Sequence, residues 1–471
     1  MEYLTFAVAL LVLIYIIYTT PVSGLGRFLA PDTTSAVMLF AIFGIRPLFY
    51  DRFDEEAWYG KYMPSPEGET LALLVGLTAI AGIGIGAAMM NGRAAKARKK
   101  HRSFGSQFRA PIRFTAKEVL LATLAASGAY VGVLTLMAGS QIFSQLRQGR
   151  SAEVAIGGLP EIVLMVPMTG STAAAIFLLA NRHRKLSKAE FIVLLASIST
   201  SIALVSQLGN RRFIIPTILI PVVASLIRRP ARVRLWHIPA ALITVLIMAT
   251  IPMVRAAGAR NPNESLLGAA WRYLRDEGIS GTIRPIFASY DTEMFDYVAI
   301  LAPRMQEEGY GWGRGTLLEF VTRPIPASWG STTSWSNELL TKLFGGGCGE
   351  PFCPVASFPG VMFFDGGLIL VAVGSLIMGA FLRSLAIAWQ YNSHLSFKKL
   401  MSVVIASAFA LIAMRTNTIH AAWWCLYTIG ISYLVYFYAA AKRPPRKREF
   451  KSGFSEQGTR LENGERSMLN I

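Results

Sequence analysis

Residues 70–113 read TLALLVGLTAIAGIGIGAAMMNGRAAKARKKHRSFGSQFRAPIR. The first half is a run of about twenty uncharged residues, the length a helix needs to cross a hydrocarbon core of ~30 Å. The second half, 91–113, carries eight Lys or Arg and no acid. Short segments so rich in Lys and Arg stay in the cytoplasm, so one stretch supplies both a span and its direction. The glycines of GIGIG (82–86) lie inside the span, where small residues serve helix packing.

The same measure, worked outward, predicts spans near 2–18, 33–50, 118–137, 158–180, 190–207, 213–227, 235–255, 360–382, 397–414 and 419–439, eleven with 70–90. The span at 33–50 contains Arg46 and Pro47, and 213–227 is short and holds Pro216 and Pro221. The whole chain is 53% hydrophobic and 16% charged, too apolar for an ordinary soluble domain, and the expected class is an all-α polytopic membrane protein. Glu2 and the lack of a basic leader make 2–18 a first span rather than a cleavable signal. The net charge of +18 does not imply a nucleic-acid partner, because the 46 Lys and Arg lie between apolar spans, where they record topology.

Counting spans from 91–113 places four more basic segments on the same, cytoplasmic side: NRHRKLSK (181–188), RRPARVR (228–234), the 383–399 loop with Arg383, Lys398 and Lys399, and the tail KRPPRKREFK. The N-terminus is then outside and the C-terminus cytoplasmic. The expected organisation is spans one to eight over 1–255, a large extracytoplasmic loop with short helices over 256–358, three further spans over 359–440, and a basic cytoplasmic tail, expected to be disordered, over 441–471.

This parity puts Arg211 and Arg212, in SQLGNRRFIIPTILIPV (206–222), on the outer face against the usual bias. Arg147, Arg150, Arg255, Arg260, Arg323 and Arg415 join them there, and among these eight positions there is no lysine. Each could snorkel to the interface or pair with an outer acid. As a set, they suit a phosphate site, because a guanidinium stays charged and binds phosphate bidentately. The large loop mixes acids with Tyr310, Trp312, Trp329 and Trp335. That mixture suits sugars, whose hydroxyls donate to carboxylates and whose apolar faces lie on rings, and it also fits an interfacial aromatic belt. Of the five histidines only His420 falls beside the outer face, where a lone histidine is either structural or part of the site. Cys348 and Cys353 bracket CGEPFC and form either a small-loop disulfide or two free thiols. No phosphate-binding GxxxxGK[ST] loop, HExxH or GxSxG occurs, so nucleotide hydrolysis, zinc proteolysis and serine hydrolysis lack their parts.

The chain resembles the Wzy-type O-antigen and capsule repeat-unit polymerases, within the superfamily that also holds the O-antigen ligases. LGNRRFIIPTIL is similar to that family's arginine-bearing turn before a span. YDTEMFDYVAILAPRMQEEGYGWGRGTLLEFVTRPIPASW is similar to its large loop, and SFPGVMFFDGGLILVAVGSLIMGAFLRSL to its Gly-rich return into the membrane. The segment RPIPASWGSTTSW lacks the lysine–proline pair often found after the tryptophan, so the match there covers Arg323, Pro324 and Trp329 alone. Ligases tend to carry a functional histidine in the large loop, and 256–358 has none, which favours a polymerase.

The resemblance implies a metal-independent GT-C-type glycosyltransferase without a cofactor, in the bacterial cytoplasmic (inner) membrane. It would join undecaprenyl-pyrophosphate-linked glycan repeat units at the outer face, with the lipid bilayer and a chain-length regulator as partners. The pyrophosphate leaves when its charge is stabilised, which the arginines can do, and a base must take the proton of the attacking sugar hydroxyl. Asp291, Glu293 and Asp296 are the candidate bases, with Glu319 behind them, and each reads equally as an ordinary loop acid or a salt-bridge partner. A ligase-like transferase and a flippase or exporter of lipid-linked sugar are the alternatives.

Overall fold

The computed structural model describes residues 1–48, 64–104, 114–139, 161–206, 211–232, 271–272, 275–276, 278, 294–325, 335, 338–339, 356–392 and 395–441. Every regular element among them is helical. Eight helices are long and apolar enough to cross a membrane, and each falls on a span expected from the sequence. They include α1 (Glu2–Thr19), α3 (Pro66–Met89, running on into the basic α4, Asn91–Phe104), α5 (Ala116–Ala138) and α6 (Thr169–Ala180, with the turns before it from Ile162). Local chemistry starts these helices where hydropathy expects them. Ser65 accepts from Gly68 N ahead of Pro66, and Thr115 with Glu118 forms a reciprocal capping box.

Two further expected spans are helical although one is short and the other carries three arginines. The first is α2 (Pro31–Leu39), which continues as a π-helical stretch over Phe40–Ile45. The second, after α7 (Lys188–Ser206), is α8 (Arg211–Arg228), with Pro216 and Pro221 inside it. α2 buries Asp32, Thr33, Thr34 and Ser35 against protein. A helix shielded by neighbours has no need of an apolar surface all round, and Ser35 Oγ donates to Ala410 O to satisfy itself. The expected span at 235–255 and the tail after 441 lie outside the described residues.

Further elements include α9 (Met294–Leu301), a π-helical stretch at Arg314–Leu318 leading into α10 (Glu319–Thr322), the long α11 (Ser357–Gln390), α12 (Phe397–Arg415) and α13 (Thr418–Ala441). All eight residues of α9 are buried. This part of the large loop therefore belongs to the helical core, packed on α3, rather than standing apart from it.

Contacts between helix ends fall into two groups. At one pole Leu25 N donates to Ala231 O, Asn181 to Phe114 O, Asn91 to Tyr15 Oη, and Arg182 to Asn392. At the other pole Arg46 meets Asp296, Arg212 lies over Trp424, and residues 311–316 meet Asp365. Helices α8 and α11 each have one end in each group.

The bundle has two hydrophobic cores. One gathers α1, α2, α3, α9 and the start of α11, with Phe43, Phe295, Tyr297 and Phe364; the other gathers α5–α8, α12, α13 and the end of α11, with Phe177, Phe213 and Trp424. Helix α11 belongs to both, and its closest partner is α3. A Cβ on Gly86 would stand 2.1 Å from Leu376 O, and one on Gly379 would stand 2.3 Å from Ile83 O. The glycines thus let two backbones touch, as GIGIG suggested.

Helix α11 also runs past its expected end at 382. Arg383, read from the sequence as a loop cation, is fully buried instead. Its Nε lies 2.9 Å from Asp32 Oδ2, and its other nitrogens donate to Thr19 O and Thr19 Oγ1. Removing one member of such a pair strands the other charge, at about 3–5 kcal/mol. Arg383→Met should therefore lower the unfolding temperature of the detergent-solubilised protein sharply, while the double variant Asp32→Asn/Arg383→Met should regain most of it, as measured by thermal unfolding.

Candidate functional site

The site is built from a break in α11. Gly366 and Gly367 leave helical geometry, with Gly367 at φ +64, and the break lets Asp365 turn its buried carboxylate toward the loop 309–316. Asp365 Oδ1 accepts from Gly313 N (2.9 Å) and Gly315 N (3.0 Å), and Oδ2 accepts from Thr316 Oγ1 (2.5 Å). The backbone joins in, as Trp312 N donates to Asp365 O and Gly311 N to Phe364 O. Trp335 Nε1 donates to Phe364 O as well, and Arg314 stacks 4.4 Å over the Trp335 ring while bonding Glu338. The loop is thereby pinned from both sides.

Two expected sugar-binding rings are displayed by this loop. Tyr310 packs its ring on Gly367, where a Cβ would stand 3.3 Å from it, and meets Trp312 edge-on at 6.0 Å. Trp312 is 80% exposed and holds φ +49, a left-handed conformation that a bulky residue adopts only where its surroundings impose it.

One turn beyond Thr316, Glu319 points inward and is 3% exposed. Its Oε1 accepts from Asn417 Nδ2 at 3.0 Å and lies 2.8 Å from His420 Nε2. Asn417 sits in the turn between α12 and α13 and also accepts from Ile419 N, so it both starts α13 and holds the carboxylate. The His420 ring lies edge-on to Trp424 at 5.9 Å, and the guanidinium of Arg212 stands 5.0 Å from the centre of a Trp424 ring and 5.5 Å from Phe213. An imidazole and a guanidinium from two different parts of the chain thus share one buried indole, and the imidazole also meets the carboxylate of Glu319. Such a group can hold an anion beside the arginine and take a proton on the Glu319–His420 pair.

Of the residues expected from the sequence, the structure brings together Glu319, His420 and Arg212. Arg323 follows Glu319 by four residues, which sets it on the same face, and its N–H donates to Glu319 O. Arg415 ends α12 two residues before Asn417. Arg211 opens α8 beside Arg212. Asp296 goes elsewhere: it is fully buried on α9, with its carboxylate held by Arg46 at 2.5 and 3.3 Å. Burial pushes that carboxyl above its ordinary range, against the pull of Arg46. This is the geometry of an anchor joining α9 to the end of α2. Arg147, Arg150, Arg255, Arg260, Asp291, Glu293, Trp329, Cys348 and Cys353 lie outside the described residues.

Sequence reasoning missed Asp365, Asn417 and Trp424. An acid followed by two glycines inside an apolar run, FFDGGL, was the available sign of Asp365, whereas Asn417 and Trp424 carry none beyond their place at a span end. Comparison of the chain with protein-family models, with curated proteins and with solved structures gives no significant match.

Asp365→Ala would leave three donors without their acceptor, at about 1–3 kcal/mol for each one that stays buried. The segment 309–323 should then become cleavable by protease in the detergent-solubilised protein. Asp365→Asn, whose side-chain oxygen still accepts both backbone N–H groups, should stay resistant.

Proposed function

We propose that the chain is an integral-membrane glycosyltransferase that polymerises lipid-linked oligosaccharide repeat units, of the Wzy type that its loop resembles. The observation that carries this reading is the meeting of Glu319, His420 and Arg212 at the pole of the bundle that also holds the loop 309–323. A glycosyl transfer from a pyrophosphate needs these two capacities side by side: a fixed cation for the departing charge and a base for the incoming hydroxyl.

In this reading Glu319, oriented by Asn417 and His420, takes the proton as the acceptor sugar's hydroxyl oxygen attacks the anomeric carbon of the donor glycan. The bond from that carbon to the pyrophosphate oxygen breaks, and undecaprenyl pyrophosphate leaves with its charge stabilised by Arg212, with Arg323 and Arg415 at the rim. Tyr310 and Trp312 offer rings for the growing glycan. The architecture is GT-C-like with eleven spans, in the bacterial cytoplasmic membrane, N-terminus outside and C-terminus cytoplasmic. The division of helix ends supports the parity: Arg182, Arg184, Arg228 and Lys398 gather at the pole opposite Glu319.

Loss of a preorganised donor or of a general base typically costs 10²–10⁴-fold in rate. Arg212→Ala and Glu319→Gln should each cut chain extension by about that factor, with protein still present in the membrane, as read by polymer length on a gel; normal chain length in both variants would refute the assignment. The His420–Glu319 contact favours a second reading, since it brings a histidine to the large loop as a ligase would have. Purified protein given only lipid-linked repeats should produce a ladder of products. A product that appears only when a second kind of acceptor is added would instead make the chain a ligase.

A further inference from the structure

The stretch Arg314–Thr322 is built inside out for a helix that faces water. Its polar or small residues turn inward: Gly315 and Thr316 rest on Asp365, and Glu319 meets Asn417 and His420. Its large apolar residues turn outward, with Leu317 75% exposed, Val321 68%, and Leu318 and Phe320 exposed beside them. A water-facing helix shows the opposite arrangement, with its apolar stripe on the core.

Three observations identify what covers the outward face. First, the Phe320 ring lies 5.2 Å from the ring of Trp423, whose Nε1 donates to Phe320 O. Trp423 is five residues into α13, about 7 Å along its axis at 1.5 Å per residue, and α13 is long and apolar enough to cross a membrane. Second, the apolar surface continues down α13 through Leu426, Leu434 and Phe437, all exposed. Third, the backbone is satisfied internally: Leu318 N donates to Gly313 O, Arg323 N to Glu319 O, Thr322 Oγ1 to Leu318 O, and Trp423 fills Phe320 O. Lipid demands such satisfaction, whereas water does not.

We infer that Arg314–Thr322 is embedded in the membrane leaflet at this pole, its outer face covered by phospholipid acyl chains, and that it forms the wall between the lipid and the Glu319–His420 site. Only the thickness of this helix separates the carboxylate from the acyl chains. The site is thus within reach of a headgroup carried in the bilayer, which suits an amphiphile that keeps its apolar tail in lipid. The inference goes beyond the polymerase reading and does not depend on it, for it concerns where the segment sits, whatever chemistry Glu319 performs.

The test uses the full chain with Cys348, Cys353 and Cys425 replaced by Ala, carrying Leu317→Cys or Val321→Cys labelled with bimane and reconstituted in phosphatidylcholine–phosphatidylglycerol vesicles. Brominated phospholipid should quench both labels at least twofold while aqueous iodide leaves them nearly unchanged. A label at Glu307→Cys, an exposed position in the same loop, should respond to iodide instead. Quenching of positions 317 and 321 by iodide and not by brominated lipid would overturn the inference. Protection from both quenchers would overturn it too, and disulfide cross-linking at position 317 would then identify a second copy of the chain as the cover.

Discussion

A single buried carboxylate organises the candidate site of this protein. Asp365 stands where α11 breaks at Gly366–Gly367, and it gathers two backbone N–H groups and a hydroxyl from the loop 313–316. Bonds to an ionised acceptor are among the stronger ones a protein can make, and leaving those donors unmet in the interior is costly. The loop is therefore held in one place on the bundle. Since Glu319 comes one turn after Thr316, fixing the loop also fixes the carboxylate against Asn417 and His420. The helix break and the site are two consequences of one interaction.

Two buried ion pairs among the described residues set the frame within which this happens. Asp32–Arg383 and Arg46–Asp296 lie at opposite ends of α2, one at each pole. Burying charge costs several kcal/mol per ion before the pair returns any of it, so these pairs are weak devices for stability alone. What they do is locate ends: α2 is short and polar, and its two charges can be satisfied only where α11 and α9 present partners. The glycine-mediated approach of α3 to α11 does similar work with packing instead of charge, because contacts near 2 Å from a virtual Cβ leave no room for another register.

Much of the candidate site was legible in the chain before folding. Arg212 was one of eight arginines read to the outer ends of spans, Tyr310 and Trp312 were two of the rings read from the loop's composition, and His420 was the one histidine read to that face, while Glu319 stood behind three other acids as the base that the resemblance implies. Asp296 shows the limit of such reading, since an acid on a loop helix can serve as a base or as an anchor, and only the position of Arg46 decides between them. Asn417 and Trp424 were invisible for a related reason. An asparagine at a span end and a tryptophan within a span are ordinary there, and their use depends on which other chain segment arrives beside them.

The sequence by itself determined the all-helical membrane class, the positions of the eight apolar helices and the packing role of GIGIG. Hydropathy and charge bias are sums over a local window, so they can be read without knowing what lies nearby. Tertiary structure alone decided that the polar start of α2 is buried against protein, that Arg383 is an interior residue rather than a loop cation, that α9 is core rather than loop, and that Glu319 faces His420. The last three each turn on a buried polar or charged group finding its partner from 98 to 364 residues away. That choice of partner is set by which helix ends share a pole, a property no local window contains.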